Sequence, residues 1–332
     1  VDMSLDAFGQ LEQVHDLARD RLVLRPGSPA AVLRFGSDHP VEYEAWDIES
    51  WARRLAVPVT DTRSIDIVES GPLVGSIRVT RAFGTSTASI TYRLRAGSPR
   101  IDIEFDIDWQ DREKVLSIDF PLDVHADQAA CGIQFGHVYR PTHRSTSWDA
   151  AKFEVCAHRW VDVAEPGFGV AVLDDGRFGH DVQGGGVRVT LLRSAIWPDL
   201  DADRGRHRTT VALLPHGPGL HDVLREAEAL ELPLRIATGN ADRPVAPLVA
   251  IDHPGVLVSA VKLADDGSSD VVIRLYEAHG DRATVVIKAG TTEAWRAALT
   301  EEPLEEIAAE DGRLTVSLRP FELATLRWRQ EP

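Results

Sequence analysis

The sequence predicts a mainly β protein, a large β-sandwich followed by a smaller one, and three observations carry that prediction. Ile101-Asp102-Ile103-Glu104-Phe105-Asp106-Ile107-Asp108-Trp109 alternates apolar and acidic residues, the period of a strand with one face in a core and the other in water. Helices are scarce: Leu220 to Leu232 spaces its apolar residues helically, after a Pro-Gly lead-in and before Pro233. A polar, proline-containing passage from Ala237 to Pro247 then separates the first body from a second set of short strands, VLVSAVKL, DVVIRLYEAHG, RATVVIKAG, RLTVSLRPF and LATLRWR. The predicted boundaries are 1–236 for the large sandwich, 237–247 for the linker and 248–332 for the small sandwich.

The remaining elements follow from local pattern. VDMSLDAFGQLEQVHDLA enters an alternating strand at once, without a cap or polar lead-in, so further sequence is expected upstream. SIRVTRAF and SITYRLRAG alternate likewise, with a turn at Gly97-Ser98-Pro99, so Arg93 and Arg95 can pair across strands with the acidic face. That pairing explains the acids better than a calcium site does. EVCAHRWVDV reads as a half-buried strand, Glu165 to Gly169 as a tight turn into VAVL, and Asp174 to Asp181 as a loop. Gly184-Gly185-Gly186 precedes no helix, so it reads as a hairpin turn, not a phosphate cradle. VRVTLLR ends at Arg193 before a turn bearing Asp199, Asp201 and Asp203, and EAWRAALTEEPLEEIAAEDG reads as an acidic, partly helical, solvated connection. No repeat of fixed period is visible, which argues against a solenoid or propeller.

Composition narrows the partners. The chain has 332 residues and a formal charge of -16, with its Arg and Lys scattered among acids. Nucleic acid and anionic lipid are thereby disfavoured and an uncharged or cationic ligand favoured. Cys131 and Cys156 form no framework or metal-type spacing, so they read as reduced, mostly buried thiols in a reducing cytoplasm. No apolar run approaches the ~18 residues of a membrane span.

Chemistry-bearing residues concentrate between Gln134 and Asp181. The local histidine candidates, His125 with Asp127, His137 with His143, and His180 with Asp181, lack the partners that a catalytic zinc needs. There is no Gly-x-Ser-x-Gly elbow and no papain-like cysteine. Carboxylate pairs for glycoside chemistry could be drawn from Asp149, Glu154, Asp162, Glu165, Asp174, Asp175 or Asp181, and sequence leaves their separations open. What the segment offers is sugar recognition: Trp148, Phe153, Trp160 and Phe178 as stacking faces, with planar and charged groups for hydroxyls. Phe153 and Trp160 can equally be core residues, and Arg193 can equally be a rim ion pair or a bidentate contact to a ligand.

A longer pattern adds to this reading. Arg140-Pro141-Thr142-His143, Thr146-Ser147-Trp148-Asp149, Phe153-Glu154-Val155-Cys156-Ala157-His158-Arg159-Trp160, Glu165-Pro166-Gly167-Phe168-Gly169-Val170-Ala171, Leu191-Leu192-Arg193-Ser194 and the Asp-x-Asp-x-Gly-x-His of Asp201 to His207 resemble the C-terminal β region of family 38 glycoside hydrolases, the α-mannosidases. The resemblance extends through FPLDVHAD upstream and VLVSAVKLADDG, VVIRLYEAHG and RPFELATL downstream, so it covers essentially the whole chain. It implies a supersandwich of the galactose-mutarotase-like type, and retaining hydrolysis of terminal α-linked mannose by an intact enzyme. It assigns the aspartate nucleophile and a divalent metal, usually zinc, to an N-terminal β/α barrel for which this sequence has no alternating strand–helix run. The implied role is a non-catalytic C-terminal portion, without a cofactor or catalytic residue of its own, that packs on its own N-terminal catalytic barrel and meets a mannose-containing oligosaccharide. By position, Phe153, Phe178, His180, Asp181 and Arg193 would line the rim of the substrate pocket. The alternative is a free-standing carbohydrate-binding β-sandwich module; a third reading is a self-sufficient hydrolase using two of the carboxylates above.

Overall fold

The computed structural model describes residues 1–236, 238–239 and 247–329, so most of the expected linker lies outside the described residues. The chain is mainly β and divides into two compact units, Val1–Gly132 with Tyr139–Pro233, and Ile133–Val138 with Leu234–Pro332. The assignment of Ile133–Val138 to the second unit has no counterpart in the sequence pattern.

A nine-stranded antiparallel sheet, in the first unit except for Ile133 and Gly136–Val138, runs in the order Gly136–Pro141, Gln128–Ile133, Trp160–Glu165, Phe168–Asp174, Gly205–His216, Ile101–Trp109, Ser86–Arg95, Val74–Phe83 and Thr62–Ser70. Ile101–Trp109 lies between Ser86–Arg95 and Gly205–His216, with Ile101, Ile103, Phe105, Ile107 and Trp109 all buried. Its acids meet arginines, as the alternation requires: Arg93 donates to both oxygens of Glu104 at 2.8 and 3.1 Å, and Arg95 pairs with Asp102. A six-stranded sheet, in the order Val155–Cys156, Gly179–Gln183, Gly186–Arg193, Lys114–Pro121, Val32–Ser37 and Val57–Pro58, packs against it. The seam is aromatic: Phe35 of the six-stranded sheet stands 5.3 Å from Phe83 and 6.1 Å from Trp109 of the nine-stranded one, centroid to centroid. A three-stranded sheet, Asp2–Leu5, Leu11–Asp16 and Arg21–Leu22, completes the unit. It is tied in by Tyr92, whose hydroxyl donates to the Gly9 carbonyl at 3.0 Å, and by buried Arg81, which donates to the Phe8 carbonyl at 2.7 Å.

The helix forms over His221–Glu231 and buries Val223, Leu224 and Ala227, ending before Pro233. Gly184 and Gly185 take φ of +55° and +80°, the paired left-handed conformation of a tight hairpin turn. A side chain at Gly185 would also meet the Val124 carbonyl oxygen at 2.5 Å.

The second unit holds a four-stranded sheet, ordered Ala250–Ile251, Ala283–Lys288, Arg313–Leu318 and Ala309–Glu310, and a five-stranded one, ordered Val256–Leu263, Val271–Glu277, Leu323–Trp328, Ala294–Ala297 and Pro303–Ile307. Ile273, Leu275, Val285, Ile287, Leu314, Val316, Leu326 and Trp328 form their shared core.

Four local expectations change. The stretch from 293 to 312 is largely strand, with Ala294–Ala297, Pro303–Ile307 and Ala309–Glu310 in the sheets. Its Ala, Leu and Glu favour helix in isolation, but Pro303–Ile307 is an edge strand, where exposed Glu305 and Glu306 guard against further pairing. EVCAHRWVDV is not one strand: Val155–Cys156 belongs to the six-stranded sheet and Trp160–Glu165 to the nine-stranded sheet, with Arg159 at φ +69° in between. The segment from 174 to 181 narrows to a turn, since Gly179–Gln183 is a strand. Cys131 is buried, but Cys156 is exposed, because the strand that carries it is the sheet's edge.

Candidate functional site

The alternation of the six-stranded sheet builds the site. Backbone pairing sets His180, Val189, Ile118 and Leu33 in one row across four strands, and all four are fully buried. One residue further along, the row is Asp181, Arg188 and Asp119, and it must face the opposite way. The next outward row is Gly179, Thr190, Ser117 and Arg34 in sequence across the same strands. Gly179 has no side chain for a reason: a Cβ there would sit 2.4 Å from Oε1 of Glu154, which lies across the sheet at this point.

Onto this polar face two short helices bring further groups. Ser50–Leu55 contributes Arg53 and Arg54, and Ser147–Ala151, capped by Thr146 and Asp149, leads into Phe153 and Glu154. The result is a cavity of about 600 Å³ lined by Arg34, Arg53, Arg54, Arg144, Phe153, Asp181 and Arg188 among others. An adjoining groove of about 680 Å³ shares Arg34, Asp181, Gln183 and Arg188 with it and continues past Phe8 and Pro29.

Each carboxylate here is held by a guanidinium. Asp119 takes hydrogen bonds from Arg34 and, on both oxygens, from Arg188. Arg144 donates to Asp181 at 2.7 Å. Glu154 pairs with Arg53 and accepts the Thr190 hydroxyl at 3.0 Å. Arg53 is 5% exposed; burial, with the like charges of Arg188 and Arg144, pushes its pKa down to about 10 against the opposing pull of Asp181 and Asp119. Forked N–H donors of this kind suit oxyanions and vicinal hydroxyls.

The five residues expected at a pocket rim are not brought together. Phe153 and Asp181 line the cavity. Phe178 is exposed and stands edge-on to His158, ring centroids 5.1 Å apart. His180 is a correction: it occupies the inward row, fully buried, with Nε2 3.2 Å from Asp174 Oδ2, so it faces the core and not a ligand. Arg193, at the far end of its strand, is taken up inside the protein, donating to Asp38 at 2.7 Å and to the carbonyls of Glu44 and Asp47. That anchoring holds a loop whose Trp46 lies 6.0 Å from Trp197, both rings exposed.

The other candidate carboxylates also have internal work. Asp162 is buried against His216, Asp174 against His180, Glu165 pairs with Arg21, Asp149 caps its helix, and Asp175 accepts from Thr209 and Thr210. Trp160 is buried, while Trp148 is exposed. Among the described residues no three His, Cys, Asp or Glu side chains converge as a metal site requires. No described helix is long and apolar enough to cross a membrane. Sequence reasoning missed Arg34, Arg53, Arg54, Asp119 and Arg188. Arg34 in VLRFGS and Arg188 in VRVTLLR are charges set among apolar strand residues, a visible signal, but only the register shows that they share a face.

Comparison with known proteins accords with this architecture. The family description "Glycosyl hydrolases family 38 C-terminal domain" matches residues 1–201, and "Glycosyl hydrolases family 38 C-terminal beta sandwich domain" matches residues 255–326. The chain is 32% identical to Alpha-mannosidase 2C1 of Homo sapiens over 98% of its own length and 32% of that protein's, and 29% identical to Alpha-mannosidase G of Dictyostelium discoideum over 99% and 32%. It thus spans about a third of the length of these relatives. A crystal structure of an alpha-mannosidase from Enterococcus faecalis V583 superposes with a TM-score of 0.79 at 18% identity, over 98% of this chain and 41% of that one, and so shares the fold. The two domain matches, in this order and over these sandwiches, establish that the chain belongs to glycosyl hydrolase family 38, of which it carries the C-terminal domains.

Proposed function

We propose that the chain is the non-catalytic C-terminal region of a retaining α-mannosidase, which packs on an N-terminal catalytic barrel and completes its sugar pocket. The observation that carries this reading is the alignment of nearly the whole chain with only a third of an α-mannosidase relative at 32% identity. In support, each candidate carboxylate is engaged by an internal partner, in keeping with a nucleophile and zinc supplied by the proposed barrel. Phe153 and Asp181 are the side chains placed best to meet a mannose-containing oligosaccharide, Phe153 by stacking and Asp181 by accepting from hydroxyls. A cytoplasmic location is in keeping with the two free cysteines, one of them exposed.

The test is a chromogenic α-mannoside assay. The 332-residue chain alone is expected to give no turnover, and the protein extended to the length of its relatives is expected to give metal-dependent turnover. Activity of the shorter chain would overturn the reading. The exposed Trp46–Trp197 pair favours, as a second reading, a free-standing carbohydrate-binding module. Calorimetric titration with mannose and α-mannobiose separates the two: silence is expected for a region that needs its barrel, and saturable binding abolished by Trp46→Ala would favour the module.

A further inference from the structure

The cavity on the six-stranded sheet carries a charge that neither the composition nor the mannoside reading explains. Arg34, Arg53, Arg54, Arg144 and Arg188 line it, while Asp181, Asp119 and Glu154 are the acids they bind. Five guanidinium groups against three carboxylates leave two positive charges in a concave site, on a chain whose formal charge is -16. Asp6, in the adjoining groove, is occupied by the backbone amides of Phe8 and Gln10. The acidic composition that disfavoured anionic ligands therefore hides a local field of opposite sign, and a concave low-dielectric site concentrates such a field.

A second observation concerns Arg53, whose charge is held in the cavity wall. Arg53 is 5% exposed, yet its Nε and Nη1 have no hydrogen-bond acceptor. Its Nη2 is committed to Glu154 and Thr190. Buried donors left unmade cost more than a typical hydrogen bond gains, and those of a cation cost most. Both atoms are closed off from solvent, while Arg53 itself is among the side chains that line the cavity. An anion carrying two negative charges would balance the positive charge that these side chains leave in the cavity.

We propose that this cavity is an oxyanion site that binds a phosphate group, either inorganic phosphate or the phosphate of a small sugar ester. Arg53 supplies buried positive charge, Arg54 and Arg144 flank the cavity, and Arg188 holds the floor through Asp119. Phe153 is placed to cover an organic moiety attached to the anion. The inference is independent of the mannoside reading, because its probe is phosphate and not mannose.

The experiment is calorimetric titration of the 332-residue protein at low ionic strength with inorganic phosphate, mannose 6-phosphate and, as the uncharged control, mannose. Saturable one-to-one binding of phosphate is expected, weakening as salt is raised and falling about tenfold or more in Arg144→Gln and Arg53→Gln. Arg54→Gln and Arg144→Gln lie at less buried positions, so they keep the test decisive if Arg53→Gln folds poorly. Tighter binding of mannose 6-phosphate than of phosphate would support the site and assign it to an organic ester, and equal binding would support it as a site for the free ion. Absence of saturable binding up to about 10 mM, or wild-type affinity in all three variants, would overturn the proposal. So would loss of phosphate binding in the protein extended to the length of its relatives, which would show that another part of the protein fills the cavity.

Discussion

Replacing Asp162 with alanine is expected to destabilise the first unit by about 3–5 kcal/mol near pH 6, the cost of stranding one member of a buried charge pair. His216 stands between two acceptors, Asp162 Oδ1 2.8 Å from its Nε2 and the Gly217 carbonyl 2.7 Å from its Nδ1. Both ring nitrogens must carry protons to satisfy both contacts, so the geometry selects the imidazolium. Burial opposes that charge, but the hydrogen bond and charge of Asp162 and the Gly217 carbonyl outweigh it, and the pKa is raised above the usual histidine value. A raised pKa means that the folded state binds the proton more tightly than the unfolded one. The resulting stabilisation is complete below the unfolded value of about 6.5 and is lost as pH rises through the folded value. Urea unfolding at pH 6 and pH 9 checks this: the gap between wild type and Asp162→Ala should narrow at the higher pH, and Asp162→Asn should show the same trend. An equal gap at both values would mean that His216 does not lose its proton between them, against this account.

An effect of similar size is expected at the seam between the two large sheets. Trp109 is fully buried, with Phe35 and Phe83 at 6.1 and 6.2 Å. Trp109→Ala removes the largest side chain of that cluster and leaves a cavity that rigid strands on both sides cannot close, at a cost of about 3–5 kcal/mol. For a unit of this size the melting midpoint should fall by about 10 °C. Trp109→Phe keeps an aromatic ring against both partners and should recover much of the loss. If calorimetry showed Trp109→Ala melting with the wild type, the aromatic contact would not be what joins the sheets.

Where a signal is local, the sequence carries it. Ile101–Trp109 was legible because one strand's alternation states which face is buried, and the cross-strand arginines follow from the acids on the other face. The helix at His221–Glu231 and the glycine turn at 184–185 were legible because proline and positive φ leave residue-level marks. The site was much less so. His180 and Asp181 are neighbours, and sequence reading put both at a rim; the register sends one to the core with Val189 and Ile118 and the other to the cavity with Arg188. Arg34 and Arg188 meet through pairing across the sheet, and Arg53 and Arg144 are brought onto its face by segments packed there, which no window of sequence contains. The strand at Pro303–Ile307 was missed because its composition favours helix, and a neighbouring strand decides otherwise.

The crossing at Ala157–Arg159 limits how the cavity can behave. Three residues join Cys156 in one sheet to Trp160 in the other. This link has its slack taken up by hydrogen bonding: Ala157 donates to the Phe178 carbonyl at 3.1 Å, His158 to the Gly132 carbonyl at 2.8 Å, and Arg159 accepts from Asp174 at 2.9 Å. It acts as a short strut under the edge strand beside Phe153, and that wall cannot swing outward unless buried Trp160 is pulled from the core. Whatever enters the arginine-lined cavity must therefore fit a mouth of fixed width on this side, and selection there works by size and charge, not by closure around the guest.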